Sequence, residues 1–240
     1  MTLPGAGFIA LWNDIAAGRD DYDTWHTTEH VPQRLGVEGF LGARRYVRCA
    51  GSLPHYLTLY ALADLDVLDS DAYRGLIRAP TVWTESMRPD FRNFSRVVCR
   101  TAATAGQGVG GYGAVRRTSK AGREEVLALC EELLALDGIS GVHFGEVDSS
   151  ASGLDLKLNS APSVEGAAGV LLVEGYEEEK LRRSCETLDL GRRTGIVMPL
   201  DWTFYKLAFA LRREDIFSRG SGVERNVSRP SPRPMTAIKG

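Results

Sequence analysis

Apolar and polar positions change period along the chain, and each change marks an element. Residues 7–12 (G-F-I-A-L-W) form a short apolar run that predicts a strand. Over residues 20–35 the spacing turns helical. Tyr22, Trp25, Glu29 and Pro32 fall on one face, with Asp21 or Asp23 as the N-cap. Pro32 is expected to end or kink this helix near Val31, because proline lacks an N–H and crowds the preceding turn. Residues 40–49 alternate as a strand, a turn at 53–55 follows, and 56–63 form another strand. Residues 64–77 predict a helix with Leu65, Leu68, Ala72 and Leu76 apolar; 80–87 add a helical turn, and 91–100 a closing strand. The order is β-α-β-β-α-β, the split βαβ pattern of the ferredoxin-like fold.

The pattern then repeats. A strand is predicted at 112–117, a helix at 120–136, and a strand at 139–147. A polar loop at 149–166 leads to a strand at 170–176, a helix at 177–190 and a last strand at 202–211. Glu38-Gly39-Phe40-Leu41-Gly42 lies opposite Asp137-Gly138-Ile139-Ser140-Gly141, which argues for a duplicated unit. The expected organisation is a unit at 1–103, a linker at 104–111 rich in Ala, Gly and Thr, and a second, degenerate unit at 112–213. The tail, 214–240, is basic and rich in Pro and Ser, and reads as an extended arm or one that contacts a partner subunit.

Composition narrows the class. The 240 residues exceed one typical domain, and 43% apolar with 25% charged residues is ordinary for a globular protein. A net charge of −2 gives no basic field for nucleic acid. No apolar run is long enough for a membrane helix, and no basic n-region precedes the first apolar stretch, so no membrane partner and a cytoplasmic location are expected. The four cysteines are widely spaced, which argues against a disulfide framework or a zinc knuckle.

Strand alternation divides the first sheet into two expected faces. Ile9, Leu11, Leu41, Val47, Leu57 and Leu59 are aliphatic and are expected under the helices. Phe8, Trp12, Phe40, Arg44, Tyr46, Tyr56, Thr58 and Tyr60 are aromatic and polar, which suits either a cavity lining or a sheet-to-sheet contact. Next to them stands His26-Thr27-Thr28-Glu29-His30. Its histidines are four residues apart, on one helix face, with Arg34 a turn further on. Histidine carries protons near neutral pH, and a nearby carboxylate can fix its tautomer. The same letters match H-x-x-E-H, a zinc-protease motif, but no third ligand stands in the matching context, and no metal is expected. His143 is alone on a second-half strand and reads as structural, and the second half has no counterpart of His26 or His30.

Three stretches carry a resemblance: W-H-T-T-E-H-V-P-Q-R-L (25–35), G-F-L-G-A-R-R-Y (39–46) and Y-L-T-L-Y (56–60). Over residues 7–100 the chain resembles the dimeric α/β-barrel superfamily, nearest to EthD-like and muconolactone-isomerase-like proteins. The resemblance implies an α+β fold with two tandem ferredoxin-like units whose antiparallel sheets pack face to face within one chain. It implies a pocket and small-molecule chemistry on aromatic, polyketide-like or catabolic intermediates, with no organic cofactor. In that frame His30 is the general acid/base, Glu29 or His26 orients it, and Arg34 or Arg44 holds an oxygen. Tyr46 and Tyr60 donate hydrogen bonds, and Trp12 and Trp25 are apolar wall. The expected reaction is of isomerase, cyclase, lyase or decarboxylase type. Two other readings stay open: a haem protein of the chlorite-dismutase-like kind, and a non-catalytic ligand-binding protein. A homodimer with the tail on the partner subunit is the expected assembly.

Overall fold

The computed structural model describes residues 2–51, 54–118, 122–150, 168–187 and 202–217. The described strands are β1 (Gly7–Ile15), β2 (Phe40–Arg48), β3 (Tyr56–Leu62), β4 (Phe91–Gly106), β5 (Tyr112–Thr118), β6 (Ile139–Val147), β7 (Gly169–Gly175) and β8 (Thr203–Arg212). They close into one antiparallel barrel in the order β1-β3-β2-β8-β5-β7-β6-β4. Around it lie α1 (Arg19–Trp25), a π-helical turn (His26–His30), α2 (Val31–Gly36), a 3-10 turn (Leu65–Asp69), α3 (Asp71–Arg78) and α4 (Val82–Met87). The second half adds α5 (Arg123–Leu134) and α6 (Glu178–Thr187), and α7 (Arg213–Phe217) follows β8. Among the described residues, no helix is long and apolar enough to cross a membrane.

The α+β class and the antiparallel pairing are as expected. The joining of the halves differs. Their sheets do not lie face to face as separate layers; they meet edge to edge, β2 on β8 and β4 on β6. The cause is β4, whose 16 residues outrun β1 and pair with β6 from Cys99 to Gly106. Closure pairs every edge and removes the exposed backbone that an open sheet presents. It also takes β4 three residues into the expected linker.

The barrel interior draws on both halves. Phe8, Ala10 and Trp12 of β1 meet Leu57, Leu59 and Ala61 of β3, Val115 of β5, Leu172 of β7 and Tyr205 of β8. The expected division of faces is therefore correct for β1 and inverted for β3. Directly opposed residues share a face, and Trp12 opposes Leu57 while Ala10 opposes Leu59. Leu57 and Leu59 thus point into the barrel, and Tyr56, Thr58 and Tyr60 point under the helices. Phe40 is also helix-side, because a bulge between Phe40 and Gly42 shifts the register.

The first helical segment runs through Pro32 instead of ending near Val31. The π turn widens the helix, and the Val31 N–H bonds to the His26 carbonyl. Pro32 then falls in the first turn of α2, where its missing N–H and fixed φ do least harm. The N-cap is Gly18 at φ 67, not Asp21 or Asp23; Asp20 and Asp21 lie in the first turn, favourable to the helix dipole. The helix expected at 64–77 is broken at Ser70, whose hydroxyl caps α3 by accepting the Tyr73 N–H. Gly39 and Gly138 precede β2 and β6 at φ 91 and 83, a left-handed conformation that glycine adopts without strain.

The helix layers of the halves are packed differently. In the second half Val126, Leu129 and Leu133 of α5 and Leu181 of α6 fill the space over Val142, Phe144, Leu171 and Val173. In the first half the corresponding layer is interrupted by a cavity. The polar loop expected at 149–166 and the tail beyond 217 fall mostly outside the described residues.

Candidate functional site

The cavity has a volume of about 100 Å³ and lies between the outer face of β1, β3 and β4 and the helices of the first half. Ile9, Leu11, Trp25, Phe91 and Phe94 form apolar wall. Into this wall project His26, His30, Arg34, Thr58 and Tyr60. The π turn brings both histidines there: their ring centroids are 5.5 Å apart, and the His30 ring lies 4.4 Å from that of Trp25. His26 is buried, with Nε2 3.4 Å from the Thr58 hydroxyl.

Several polar atoms lining this cavity have no hydrogen-bond partner among the described residues. They are Nδ1 of His26, Nδ1 of His30, the Tyr60 hydroxyl, Nδ2 of Asn13 and Nη2 of Arg96. Buried polar groups are normally paired, so a concentration of orphans marks a place that receives something. A wider hollow of about 820 Å³ at one end of the barrel, bordered by Leu59, Leu211 and Phe217, has no such orphans in its lining.

Burial sets the protonation of these groups. It pushes the His26 imidazole well below its ordinary 6.5, and the positive charges of Arg45 and Arg34 push the same way. His30 is lowered likewise by burial, then by Arg34 and His26. Both are neutral at neutral pH, with a ring nitrogen able to accept a proton. Burial raises Tyr60 above its ordinary range, so its hydroxyl stays a donor.

Glu29 does not join the histidines. Its Oε1 accepts from the Thr81 hydroxyl at 2.5 Å and from Thr84 at 3.5 Å, which ties the π turn to α4. Glu29 is not among the residues that line the cavity. It is a fastening for the helices and neither orients His30 nor faces a metal alongside the imidazoles.

Arg44 and Tyr46 are not brought to the cavity either. They point into the barrel, where Glu174 Oε1 accepts from Arg44 at 2.8 Å and from Tyr46 at 2.6 Å. His143 Nε2 lies 3.1 Å from Glu174 Oε2, and its Nδ1 lies 2.7 Å from the Thr104 hydroxyl. Burial alone would raise the Glu174 carboxyl; the hydrogen bond from His143 and the charge of Arg44 outweigh it, and the net direction is down. Trp12 is also in the barrel, under the Arg117 guanidinium at 4.6 Å. Of the expected site residues, the structure gathers His26, His30, Arg34, Trp25 and Tyr60, and parts them from Glu29, Trp12, Arg44 and Tyr46.

Asn13, Tyr22, Tyr73, Arg88 and Arg96 line the cavity without having been singled out. Asn13 had a signal: it is the polar residue that follows an apolar strand run, and its Oδ1 accepts the Tyr22 hydroxyl at 3.2 Å. Arg96 faces the helices opposite Leu11 of β1, a pairing the sequence does not reveal.

The described residues do not fit a haem. In the second half His143 is turned inward with both nitrogens engaged, and the helix layer is filled with aliphatic side chains. Cys130 and Cys185 lie there as thiols pushed up by burial to about 11 and about 12. The first-half cavity is far smaller than a porphyrin.

No protein-family model and no curated protein sequence matches the chain. Solved structures do. An anthrone oxidase-like protein superposes with a TM-score of 0.57 at 8% identity, covering 89% of this chain and 96% of that one. A candidate monooxygenase from Fusobacterium nucleatum gives 0.53 at 9% identity, covering 87% and 95%. A mutant chlorite dismutase from Candidatus Nitrospira defluvii gives 0.52 at 8% identity, covering 90% and 95%. At these identities the likeness is one of fold alone, an α+β arrangement of antiparallel strands and covering helices.

Proposed function

We propose that this chain is a small-molecule enzyme of the isomerase, cyclase, lyase or decarboxylase type, in which His30 is the general acid/base and no organic cofactor takes part. The observation that carries the reading is the pair of neutral histidines with unpartnered ring nitrogens, set in an apolar cavity beside an unpartnered Tyr60 hydroxyl and Arg34. A neutral imidazole away from water is a competent base for an acidic C–H or phenolic O–H. Tyr60 and Arg34 are placed to hold the oxygen on which negative charge then develops, and His30 returns the proton at the product carbon. His26, fixed against Thr58, and the Trp25 ring position His30. Trp25 is itself held, its indole N–H donating to the Thr84 hydroxyl at 3.3 Å.

The resemblance of residues 7–100 to EthD-like and muconolactone-isomerase-like proteins supports the same class of reaction. The names of the solved neighbours, an anthrone oxidase-like protein and a candidate monooxygenase, also point to small organic substrates. Within this reading the halves are a duplicated unit, 1–103 and 112–213, the second having lost its pocket. The first three residues of the 104–111 joint are the end of β4. The assembly is a homodimer.

The test is turnover of a panel of small enolisable carbonyl compounds and phenols. His30→Gln should lower kcat/KM by about 10²- to 10⁴-fold with melting temperature preserved. The acid limb of the wild-type kcat/KM profile against pH should fall below 6.5, because the base works unprotonated and its pKa is depressed in the free protein. Undiminished turnover by His30→Gln, or an acid limb above 6.5, sinks the assignment.

A further inference from the structure

The cavity lining contains three arginines and no carboxylate. Arg34 comes from α2, Arg88 from the turn after α4, and Arg96 from β4. Arg34 is 8% exposed, its guanidinium lies 5.8 Å from the Tyr73 ring centre, and that guanidinium has no hydrogen bond or ion pair among the described residues. It lines the same cavity as His26, His30 and Tyr60. Arg96 keeps one buried nitrogen without a partner.

Among the described residues, the other buried arginines each stand by a carboxylate. Arg44 is paired with Glu174 at 2.8 Å and Arg45 with Asp23 at 3.4 Å. A guanidinium taken out of water without an anion is costly, and a fold retains one where an anion arrives from outside. Guanidinium is also the side chain best shaped for a carboxylate, which it meets with two parallel N–H donors. A volume of about 100 Å³ with Trp25, Phe91 and Phe94 in its walls suits one small ring.

We infer that the substrate is an anion: a compound of about one ring bearing a carboxylate, with Arg34 and Arg96 supplying the countercharge. This rests on the acid/base reading of the same cavity and names what that reading leaves open. The arrangement has a chemical logic. A carboxylate bound beside His30 offsets the arginine charges, so the imidazole becomes a better proton acceptor once the ligand is in place.

The experiment titrates the full chain with benzoate and with benzamide, which has nearly the same shape and no charge, using calorimetry and thermal melting. Benzoate should bind at least about tenfold more tightly than benzamide, the scale of one charge-assisted contact. Arg34→Met and Arg96→Met should each lose that preference. Ligand-free Arg34→Met should melt above wild type, since it removes an unpaired buried charge; a role confined to packing on Tyr73 predicts the opposite. If Arg34→Met does not fold, Arg96→Met, at a less buried position, decides the matter. Equal binding of the two probes, binding of neither, or a benzoate preference that survives both variants overturns the inference. His30→Gln separates the two readings: it should keep the benzoate preference whether or not His30 proves to be the catalytic base.

Discussion

Two clusters in this molecule use the same kinds of residue to opposite ends. In the barrel, His143, Arg44 and Tyr46 converge on Glu174, and Thr104 takes the remaining histidine nitrogen. Under the first-half helices, His26, His30, Arg34 and Tyr60 converge on a cavity and have few partners or none. The first cluster is internally satisfied and joins strands of both halves. The second is an open set of donors and acceptors. Buried polar groups that satisfy each other belong to the architecture; those that satisfy nothing within the chain are the better guide to chemistry.

The contrast breaks if both clusters respond alike to mutation. The largest stability effect belongs to Glu174→Gln, which leaves Arg44 and His143 facing an uncharged amide. It should cost about 3–5 kcal/mol in chemical denaturation, the scale for removing one partner of a buried ion pair. Leu129→Ala in the packed second-half layer should cost about 2–5 kcal/mol while leaving ligand binding in the first half unchanged. A loss of binding in that variant would show that the two helix layers communicate.

Acid pH separates the clusters further. His26 and His30 have depressed values in the fold and ordinary ones, near 6.5, when unfolded. The unfolded chain therefore takes up protons first, and stability declines as pH falls below 6.5, by at most about 1.4 kcal/mol per pH unit for each histidine. Glu174 is depressed from 4.5, so its contribution is complete above 4.5 and is lost as pH falls through its lower folded value. Melting temperature against pH should thus show two declines. A His26→Asn, His30→Gln double variant should flatten the upper one, and Glu174→Gln the lower.

The smallest effect is expected of Thr81→Ala. Thr81 caps α4 and donates to Glu29. Its loss should cost about 1 kcal/mol and raise KM more than it lowers kcat, because α4 then closes the cavity less firmly. A fall in kcat alone would instead place Thr81 at the chemistry.

Much of the fold was legible because it is written in local periodicity. β6 spans the residues that alternation predicts, and β5, β7 and β8 differ by about a residue at their ends. Closure was not legible, since it depends on the length of β4 and on pairings between residues far apart in sequence. The face of β3 was misjudged for a related reason. Both its faces are buried, so Tyr-Leu-Thr-Leu-Tyr alternates between two kinds of interior, and aliphatic against aromatic does not say which is which. His26, His30 and Arg34 were found because helical spacing alone puts them together. Arg44 and Tyr46 were misplaced because their partner, Glu174, lies about 130 residues away. Glu29 was misplaced for the same reason, its partners Thr81 and Thr84 lying 52 and 55 residues away.

That irregular turn has a consequence of its own. A π turn is an α-helix carrying one residue too many, and each residue of an α-helix advances the direction of the side chains by about 100°. Were the same residues wound as regular α-helix, with the turn no longer widened, everything beyond it would swing by that angle. His26 would keep its heading while Arg34 turned off target. The extra residue works as a phase shifter: it lets two stretches of a single rod, out of step by the regular count, look at the same spot on the wall.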